Sequence, residues 1–489
     1  MTKRITIDPI TRLEGHGKIE IFLNDDGSVD NVFFQVPELR GFEKFAEGRP
    51  VEEMPRITSR ICGVCPEAHL AASAKAGDAV YNVTLPPTAK KLRELQYSAF
   101  VLGDHTTHFY ALGGPDFVMG PDADPAARNL LGVIHKVGVE IGKDVIRARI
   151  ECHEVAKILG GKPVIPVNML PGGMSKGLTN KEDHDRILEI ANHKLEFAKF
   201  TLKVVDDFVL ANKDYVDLIL SDPYALNCHN MGMVDENNHV NFYDGKVRVT
   251  DTEGKEIVKY EPKDYLDVVE ERVLPWSYLK FPYIKSIGWK GLVDGQDSGI
   301  YRATPLSRLN AADGMATPLA QEQYERFYDT LGGKPVNATL ATHWARVIEI
   351  LYAAERFLEL AQDPDITGPD YRVIPTEKPT EGVGIVEAPR GTLTHHYITD
   401  EKGIVQKANL IVGTTNNNGA ICMSIKKAAQ GVIKAGTEVT EPMLNMIEMA
   451  FRAYDPCFAC ATHSLPGQMP LEVRLYDKEG NLLDSKHRE

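Results

Sequence analysis

The sequence predicts an α+β protein that is mainly helical, with a central bundle of long helices and β-hairpins towards the N-terminal and C-terminal ends. Long stretches repeat apolar residues at helical spacing, whereas runs near the two ends alternate apolar and polar residues around polar turns. No linker separates these segments, so we expect one domain rather than several. The helical stretches are residues 88–112, 126–159, 181–220, 318–330 and 340–362.

Short strands are predicted on both sides of the helical region. Residues 18–23 and 29–36 alternate along their length and flank a polar turn at residues 24–27. Residues 384–412 predict a second hairpin, which turns at residues 400–403. Three shorter patterns indicate a strand at residues 5–7, an inserted surface hairpin at residues 238–262, and a strand, turn and strand at residues 471–483.

The composition excludes several classes of function. The chain has 489 residues, of which 43% are hydrophobic and 25% charged, so it can bury a large core. Its net charge of −14, without a basic stripe, argues against a nucleic-acid partner. Residues 1–4 lead directly into a strand-like segment without the apolar core of a signal peptide, and no apolar run reaches transmembrane length. We expect a cytoplasmic protein without a membrane span, although a folded partner that carries a signal could export it.

Two Cys-x-x-Cys pairs lie near opposite ends of the chain, Cys62 with Cys65 and Cys457 with Cys460. The i, i+3 spacing places both sulfurs of a pair on one side of a helical turn, so each pair can bind a single metal. Together the pairs supply four soft ligands. The odd total of seven cysteines suits a reducing compartment better than a disulfide framework.

The residues around both pairs indicate helix starts. Asp455 and Pro456 precede Cys457 in the pattern of an N-cap followed by proline at the first helical position. Pro66, directly after Cys65, gives the same signal. Backbone N–H groups in a first helical turn stabilise thiolates and lower the cysteine pKa. We therefore interpret both pairs as metal ligands at helix entries.

The spacing alone leaves a structural zinc site, or two redox pairs unconnected in space, as alternatives. Zinc is the usual metal of paired Cys-x-x-Cys motifs, but compact zinc modules separate the pairs by roughly 12 to 20 residues. Here nearly the whole chain separates them. The ligands of such a site come together only when the whole chain has folded, so the site cannot form an independent small zinc-finger module.

Longer strings around the cysteines resemble the motifs of one family. Residues 56–69 and 455–463 closely resemble the two signature motifs of the large, catalytic subunit of nickel-iron hydrogenases. The resemblance implies the nickel-iron hydrogenase large-subunit fold and the reversible heterolytic cleavage of dihydrogen. It also covers residues 12–16, 40–43, 160–163, 171–173, 301–302, 305–306, 308–310 and 388–391.

The resemblance implies a nickel–iron centre bound by the four cysteines. Cys62 and Cys457 would be terminal nickel ligands, while Cys65 and Cys460 would also bridge to an iron that carries one carbonyl and two cyanides. Soft thiolates suit both metals. Because the chain has no iron–sulfur cysteine set beyond the two pairs, electrons would leave through a separate iron–sulfur small subunit.

The same resemblance assigns catalytic roles near an Ala-Pro-Arg-Gly turn. Arg390, which follows Pro389, would point its guanidinium at the metals, although a lone arginine in a turn is usually solvated. Asp104 would be its buried carboxylate partner, in a pair that fixes geometry more than it stabilises. Asp455 could act likewise, cap its own helix, or do both.

Glu14 and His69 complete the implied catalytic set. The family resemblance makes Glu14 the proton gate, whereas composition alone describes an ordinary exposed glutamate near a strand. His69 follows Cys65 by four residues and can reach back towards its sulfur across one turn. A satisfied core histidine is the alternative interpretation of His69.

The resemblance further implies a second metal site and a maturation step. Glu43, His463 and the backbone carbonyl of Asn409 would bind magnesium or iron. Residues 1–463 would be a single catalytic domain, and residues 464–489 an extension that an endopeptidase removes after His463 once insertion chaperones have loaded the metals. A hairpin in this extension could hold the C-terminal cysteines away from the core until cleavage lets His463 move towards Glu43.

Two further segments of the sequence indicate a subgroup of the family, and two other protein classes remain as alternatives. Residues 66–68 and 414–418 look more like cytoplasmic bidirectional or cofactor-coupled hydrogenases, which implies further electron-transfer subunits such as an NAD-linked flavoprotein. A complex I-like quinone-site subunit shares the fold but lacks the four cysteines. A structural zinc protein with an interaction role is the other alternative, and metal analysis distinguishes it.

Overall fold

The computed structural model describes residues 3–463, 471–476 and 482–488. The protein is mainly helical with several small sheets, as predicted. The helices are α1 (Phe42–Ala46), α2 (Met54–Thr58), α3 (Pro66–Val80), α4 (Pro87–Thr107), α5 (Pro115–Val118), α6 (Leu130–Val137), α7 (Val139–Gly160), α8 (Lys181–Val205), α9 (Lys213–Ile219), α10 (Tyr265–Val268), α11 (Pro305–Ala311), α12 (Pro318–Leu331), α13 (Thr342–Gln362), α14 (Gly413–Asn416), α15 (Asn418–Val432), α16 (Glu441–Arg452) and α17 (Phe458–Ala461). The strands are β1 (Lys3–Ile7), β2 (Lys18–Leu23), β3 (Val29–Gln35), β4 (Met169–Leu170), β5 (Gly173–Met174), β6 (His229–Val234), β7 (His239–Val240), β8 (Lys246–Thr250), β9 (Glu256–Tyr260), β10 (Val269–Arg272), β11 (Phe281–Ile284), β12 (Tyr301–Arg302), β13 (Gly314–Met315), β14 (Glu381–Ala388), β15 (Gly391–Thr399), β16 (Val405–Ile411), β17 (Leu471–Tyr476) and β18 (Leu482–Arg488).

The predicted bundle is formed by α4, α7, α8 and α13, which pack against one another. Two of the predicted helices are interrupted. The stretch 126–159 divides into α6 and α7 at Gly138, whose φ of +108° is incompatible with a continuous helix. The stretch 181–220 divides into α8 and α9, and the side chain of Asn212 caps α9 by accepting a hydrogen bond from Asp214 N at 3.0 Å.

The predicted hairpins are parts of larger sheets. The N-terminal hairpin is β2 and β3, and β1 extends it to three strands. The segment 384–412 is also three-stranded, because a two-residue turn at Pro389 and Arg390 separates β14 from β15. The predicted turn at residues 400–403 joins β15 to β16, where Gly403 N donates to Asp400 O at 3.0 Å.

Residues 238–262 are less exposed than the polar sequence suggests. Strands β7, β8 and β9 join β6 in a six-stranded sheet rather than a separate surface hairpin. Val247 and Val249 on β8 are fully buried. The prediction of a surface insertion is therefore wrong for β8, because alternate positions of a polar strand face a core that the local sequence does not reveal.

Helix α3 packs directly on β14 and β15 and thereby positions the first cysteine pair next to the turn that carries Arg390. The contact requires glycine on the sheet. A Cβ atom at Gly384 would lie 2.2 Å from the backbone oxygen of Ala72, and one at Gly382 would lie 2.3 Å from the backbone nitrogen of Val80. Because these two positions have no side chain, the backbone of the alanine-rich helix α3 packs directly against the backbone of the sheet.

The C-terminal strands β17 and β18 pair antiparallel, which confirms the predicted strand pattern. The predicted turn at residues 477–481 lies outside the described residues. Among the helices that the structure describes, none combines the length and the apolar character needed to cross a membrane.

Candidate metal centre

Four cysteine sulfurs meet in the interior, although their residues lie at opposite ends of the chain. The Sγ atoms of Cys62, Cys65, Cys457 and Cys460 all lie within 4.8 Å of one another, and all four residues are buried. Cys62 Sγ lies 3.4 Å from Cys457 Sγ, and Cys65 Sγ lies 3.4 Å from Cys460 Sγ. The two pairs therefore form one four-sulfur cluster, which excludes two redox pairs unconnected in space.

The first pair lies at a helix entry, as predicted. Helix α3 begins at Pro66, and Cys65 is its N-cap residue. Cys62 Sγ accepts hydrogen bonds from the backbone nitrogens of Val64 at 3.2 Å and Cys65 at 3.1 Å. These N–H groups stabilise negative charge on the sulfur.

The second pair also lies at a helix start, but Asp455 is not the N-cap. Helix α17 begins at Phe458, and Cys457 precedes it. Asp455 has a φ of +54° and accepts a hydrogen bond from Arg390 at 3.2 Å. The predicted cap is therefore wrong, because a buried guanidinium takes the carboxylate that would otherwise cap the helix.

The four clustered thiols can all lose their protons only when a cation lies beside them. Burial opposes thiolate formation at Cys62, but hydrogen bonds from the other three thiols outweigh it and lower the pKa of Cys62. Burial raises the pKa of both Cys457 and Cys460 well above the ordinary value. A bound metal ion would supply the positive charge that allows all four to deprotonate. The donor set therefore fits a soft or borderline metal such as nickel.

Arg390 lies in the turn between β14 and β15 and pairs with two carboxylates. Its guanidinium donates to Asp104 at 3.1 Å and to Asp455 at 3.2 Å, and all three residues are buried. Burial opposes the charge on Arg390, but the two carboxylates outweigh it and raise its pKa, so the side chain stays protonated. Gly391 permits the turn, because a Cβ there would lie 2.6 Å from Ala303 O.

Glu14 is a half-buried residue of the N-terminal segment, and its side chain contacts the cysteine cluster. Its Oε2 lies 3.0 Å from Cys457 Sγ and accepts a hydrogen bond from Ala459 N at 3.1 Å. Its backbone pairs with the same loop, since Phe458 N donates to Glu14 O at 3.0 Å. Burial raises the pKa of Glu14, which favours a carboxyl group that can carry a proton.

His69 is fully buried on α3 and contacts a histidine rather than the Cys65 sulfur. His69 Nδ1 lies 3.1 Å from His395 Nε2, and no hydrogen bond to Cys65 is formed among the described residues. Burial lowers the pKa of His69 to about 4, so the ring is neutral near pH 7. Its Nε2 is buried without a partner in the described part of the chain, which leaves one hydrogen-bond donor or acceptor unused.

Known proteins share both the sequence and the fold. Residues 40–137 and 219–463 match the family model described as nickel-dependent hydrogenase, and residues 4–39 match a model described as HoxL-like. The chain belongs to the nickel-dependent hydrogenase family. Family membership and the four-cysteine cluster identify it as the large subunit of a nickel-iron hydrogenase. Family membership argues against a structural zinc protein, and the four cysteines argue against a complex I-like protein, which lacks them.

Two relatives and one solved structure match this hydrogenase chain over nearly its whole length. A relative from Archaeoglobus profundus, named as an iron-sulfur subunit of F420-non-reducing hydrogenase, is 51% identical over 98% of this chain and 99% of its own length. The NAD-reducing hydrogenase HoxS subunit beta of Cupriavidus necator is 40% identical over 100% of both chains. A crystal structure of an NAD⁺-reducing [NiFe]-hydrogenase in the H₂-reduced state superposes with a TM-score of 0.88 and 36% identity, covering 94% of this chain and 100% of that one.

A second group of polar residues in the hydrogenase chain lies around the end of the catalytic segment. His463 Nδ1 lies 3.0 Å from Glu43 Oε1, and Glu43 N donates to His463 O at 3.2 Å. Leu410 N donates to the same Glu43 oxygen at 2.9 Å, so the peptide between Asn409 and Leu410 contacts Glu43 through its N–H group. Burial opposes ionisation of Glu43, but His463 and Lys280 outweigh it and lower its pKa.

Two residues of this second group, Glu271 and Lys280, were not predicted from the sequence. Glu271 lies 3.2 Å from Lys280, and burial raises the pKa of Glu271. Glu271 Oε1 and His463 Nε2 are buried without partners among the described residues, so the group fits an additional cation. No sequence signal identifies Glu271 or Lys280, because neither belongs to a recognisable motif.

The residues that hold the Arg390 turn were also not predicted to have a role. Arg308 donates to Ala388 O at 3.0 Å and to Pro389 O at 3.3 Å, and Arg346 donates to Pro389 O at 3.4 Å. Pro389 thus contributes a backbone carbonyl that two buried arginines bind. Arg308 stands in a family-like motif of residues 308–310, and that motif was the signal that could have identified it.

Proposed function

We propose that this chain catalyses the reversible heterolytic cleavage of dihydrogen into protons and electrons. The observation that carries the proposal is the buried cluster of four cysteine sulfurs within 4.8 Å, contributed by both ends of a nickel-dependent hydrogenase chain. Cys62 and Cys457 would hold nickel as terminal ligands, and Cys65 and Cys460 would also hold an iron with one carbonyl and two cyanides. When bound, this centre supplies the open coordination position at which dihydrogen is polarised.

Arg390 supplies fixed positive charge beside the sulfurs. Asp104 and Asp455 hold the guanidinium in one orientation through contacts of 3.0 to 3.2 Å in a buried environment. A preorganised charge in such an environment stabilises charge that develops during reaction without further rearrangement. Pro389 fixes the backbone of the turn through its carbonyl, and the buried Nε2 of His69, without a partner among the described residues, would be available to a group bound at the centre.

Glu14 transfers the proton between the centre and the protein surface. Its Oε2 lies 3.0 Å from Cys457 Sγ, which is a hydrogen-bond distance for proton transfer between a thiol and a carboxylate. Because burial raises the pKa of Glu14, its carboxyl group is a better proton acceptor than an exposed glutamate. Ala459 N holds the same oxygen in place at 3.1 Å.

Electrons leave through a separate iron–sulfur small subunit, and further subunits such as an NAD-linked flavoprotein would accept them. The relative named as an NAD-reducing hydrogenase supports a cofactor-coupled enzyme, and we place this enzyme in the cytoplasm. Glu43, the carbonyl of Asn409 and His463 would hold magnesium or iron at the second site. Nickel and iron insertion chaperones load the centre, and a maturation endopeptidase removes residues 464–489.

Infrared spectroscopy of the purified enzyme tests the proposal. We expect carbonyl and cyanide stretching bands together with nickel and iron, and exchange between dihydrogen and D₂O. In Cys65→Ser the bands, the nickel and the exchange should all be lost, because one of the four thiolates that would hold the metals is removed. Cys422→Ser replaces another buried cysteine outside the cluster and serves as the matched control. Zinc without nickel in the wild-type protein, or full exchange activity in Cys65→Ser, would contradict the proposal.

A further inference from the structure

The backbone of Arg12 is held in a conformation that arginine rarely adopts. Its φ is +59°, in the left-handed region that favours glycine. The other non-glycine residues with a positive φ in the described part of the chain are asparagine or aspartate, which tolerate this region better. A strained residue persists only where its surroundings fix it. Arg12 precedes Glu14 by two residues, so the segment fixed in this way is the one that carries the Glu14 carboxyl group.

The guanidinium of Arg12 contacts two other parts of the chain. It donates hydrogen bonds to Leu112 O at 3.1 Å, to Asn445 Oδ1 at 3.1 Å and to the carboxylate of Asp116. Leu112 and Asp116 lie in and just before α5, whereas Asn445 lies on α16. The side chain of Arg12 is 13% exposed and that of Asp116 is 1% exposed, so water competes little for these contacts. Charge-assisted hydrogen bonds in such a site hold the arginine in one place.

Arg452, the last residue of α16, shares the partners of Arg12. Its guanidinium donates to Asp116 Oδ2 at 3.2 Å and to Asn445 Oδ1 at 2.7 Å. It also binds the N-terminal segment directly, because Nη2 donates to Thr11 Oγ1 at 2.9 Å and Nε donates to Thr11 O at 3.2 Å. Two buried guanidiniums thus meet around one carboxylate. Because like charges repel in the interior, this arrangement fixes geometry more than it adds stability.

Helix α16 binds the same segment through a carboxylate as well. Thr11 N donates to Glu448 Oε1 at 2.9 Å, and Thr11 Oγ1 donates to Glu448 Oε2 at 3.0 Å. Glu448 and Arg452 are one helical turn apart on α16 and form an ion pair. The helix therefore contacts both Thr11 and Arg12, and only Leu13 separates Arg12 from Glu14.

The other side of Glu14 is bound by the loop of the second cysteine pair. Glu14 and Cys457 form an isolated parallel backbone bridge, in which Phe458 N donates to Glu14 O at 3.0 Å. This loop follows α16, because the helix ends at Arg452 and Cys457 comes five residues later. The same helix thus anchors the segment that carries Glu14 and the loop that carries its sulfur partner.

We infer that Arg12, Asp116 and Arg452 are positioning residues that hold the Glu14 carboxyl group at hydrogen-bond distance from Cys457 Sγ. The inference rests on the proposed function, which makes Glu14 the proton carrier. Glu14 Oε2 lies 3.0 Å from the sulfur, and proton transfer requires such an approach. A displacement of about 1 Å can cost roughly a hundredfold in rate.

Two isotope measurements on the metal-loaded enzyme from its own host test the assignment. Conversion of para- to ortho-dihydrogen requires only cleavage and recombination at the centre, whereas exchange between dihydrogen and D₂O also requires the proton to leave it. We expect Arg12→Lys to slow exchange about tenfold and to leave conversion per nickel at the wild-type level, because an ammonium group cannot make the three contacts of the guanidinium. A crystal structure of Arg12→Lys should show Glu14 Oε2 beyond hydrogen-bond distance of Cys457 Sγ.

Arg93→Lys is the matched control. Arg93 is fully buried and, like Arg12, binds a carboxylate and main-chain carbonyls, here Asp78, Leu170 O at 2.6 Å and Gly173 O at 3.0 Å. Its partners do not include the segment that carries Glu14. We expect Arg93→Lys to lower the unfolding temperature at least as much as Arg12→Lys and to leave both isotope rates at the wild-type level.

A double-mutant cycle establishes whether Arg12 acts through Glu14. We expect Arg12→Lys to slow exchange in the wild-type background and to have no further effect in the Glu14→Gln background. Equal slowing in both backgrounds would overturn the inference. If Arg12→Lys fails to fold, Glu448→Gln keeps the size of its side chain, weakens the contacts with Thr11 and should slow exchange about threefold.

The outcomes separate the positioning role from the chemistry. Wild-type exchange in folded Arg12→Lys or in Glu448→Gln would overturn the assignment, as would an equal loss of conversion and exchange, which would indicate general damage to the centre. A wild-type enzyme that shows neither conversion nor exchange would instead contradict the proposed function. Unchanged exchange in Glu14→Gln would contradict the proton-carrying role, and the distance from Glu14 to Cys457 in the Arg12→Lys crystal would then decide the positioning role by itself.

Discussion

Arg308 and Glu349 form a bidentate ion pair in the interior, with two hydrogen bonds of 2.6 Å each. Both side chains are almost completely inaccessible to solvent. Arg308 also donates to the carbonyls of Ala388 and Pro389, the two residues that precede Arg390. The planar guanidinium therefore links a helix of the bundle, α13, to the turn that presents Arg390 to the sulfur cluster.

Arg308→Lys should weaken this link while keeping the positive charge. An ammonium group cannot reproduce the planar fork, so at least two of the hydrogen bonds are lost in a buried site. We expect the free energy of unfolding to fall by about 3 kcal/mol and isotope exchange per nickel to fall about tenfold as the Arg390 turn loosens. Calorimetry and exchange with D₂O measure the two effects. Arg326→Lys, at a half-exposed ion pair with Asp206, is the control and should change neither quantity appreciably.

Glu349→Gln should change how the free energy of unfolding depends on pH in the acid range. Burial opposes ionisation of Glu349, but Arg308 and His105 outweigh it and lower its pKa from 4.5 to about 2. Because the folded-state pKa is depressed, the stabilisation is complete above about pH 4.5 and is lost as pH falls towards 2. The glutamine variant lacks this titration, so the stability difference from wild type should shrink across that interval. Chemical denaturation at several pH values measures it, with exposed Glu196→Gln as control. A constant difference between pH 5 and 2 would contradict the assignment.

Arg390→Lys should impair catalysis without releasing the metals. The guanidinium bonds Asp104 and Asp455 at the same time, and a lysine ammonium cannot hold both contacts in the same plane. We expect the turnover of dihydrogen to fall by about a hundredfold or more at unchanged nickel and iron content. Metal analysis and turnover measurements on the same sample decide between this result and a merely structural role, for which metal content and activity would fall together.

Local sequence patterns predicted the helix start and the turn that carry site residues, because a proline restricts the backbone at its own position regardless of the rest of the fold. Pro66 fixes the start of α3, and Pro389 fixes the turn before Arg390. The cysteine spacing indicated a metal site, and the structure brings the two pairs together across the fold. The resemblance of whole motifs, rather than any local pattern, was needed to choose nickel and iron over zinc.

The buried charges around the site could not be predicted locally. Arg308 and Glu349 are 41 residues apart, and arginine and glutamate on helices are usually exposed. The N-cap assigned to Asp455 failed for the same reason, since its competing partner Arg390 lies 65 residues away. Long-range pairing decides which charges are buried, and a local sequence pattern contains no information about it, so only the family resemblance predicted the pair of Arg390 with Asp104.

Glu14→Gln should slow proton exchange and preserve the metal centre. The amide cannot take a proton from Cys457 Sγ, although it keeps the size of the carboxyl group and can still accept a hydrogen bond from Ala459 N. We expect normal nickel and iron content and about a hundredfold slower exchange between dihydrogen and D₂O. Glu38→Gln alters a nearby carboxylate that contacts exposed His16 and is the control. Unchanged exchange in Glu14→Gln would remove this residue from the proton path.

His463 already contacts Glu43 in the full-length chain, contrary to the expectation that cleavage brings them together. His463 O accepts a hydrogen bond from Glu43 N at 3.2 Å, so cleavage after His463 would convert an amide oxygen in this bond into a carboxylate oxygen. Hydrogen bonds to charged acceptors are stronger than those to neutral ones. We therefore expect active enzyme from its own host to end at His463 and to unfold at a higher temperature than the uncut chain. Intact-mass measurement and calorimetry of the two forms check this, and a fully active enzyme that still ends at Glu489 would contradict the maturation step.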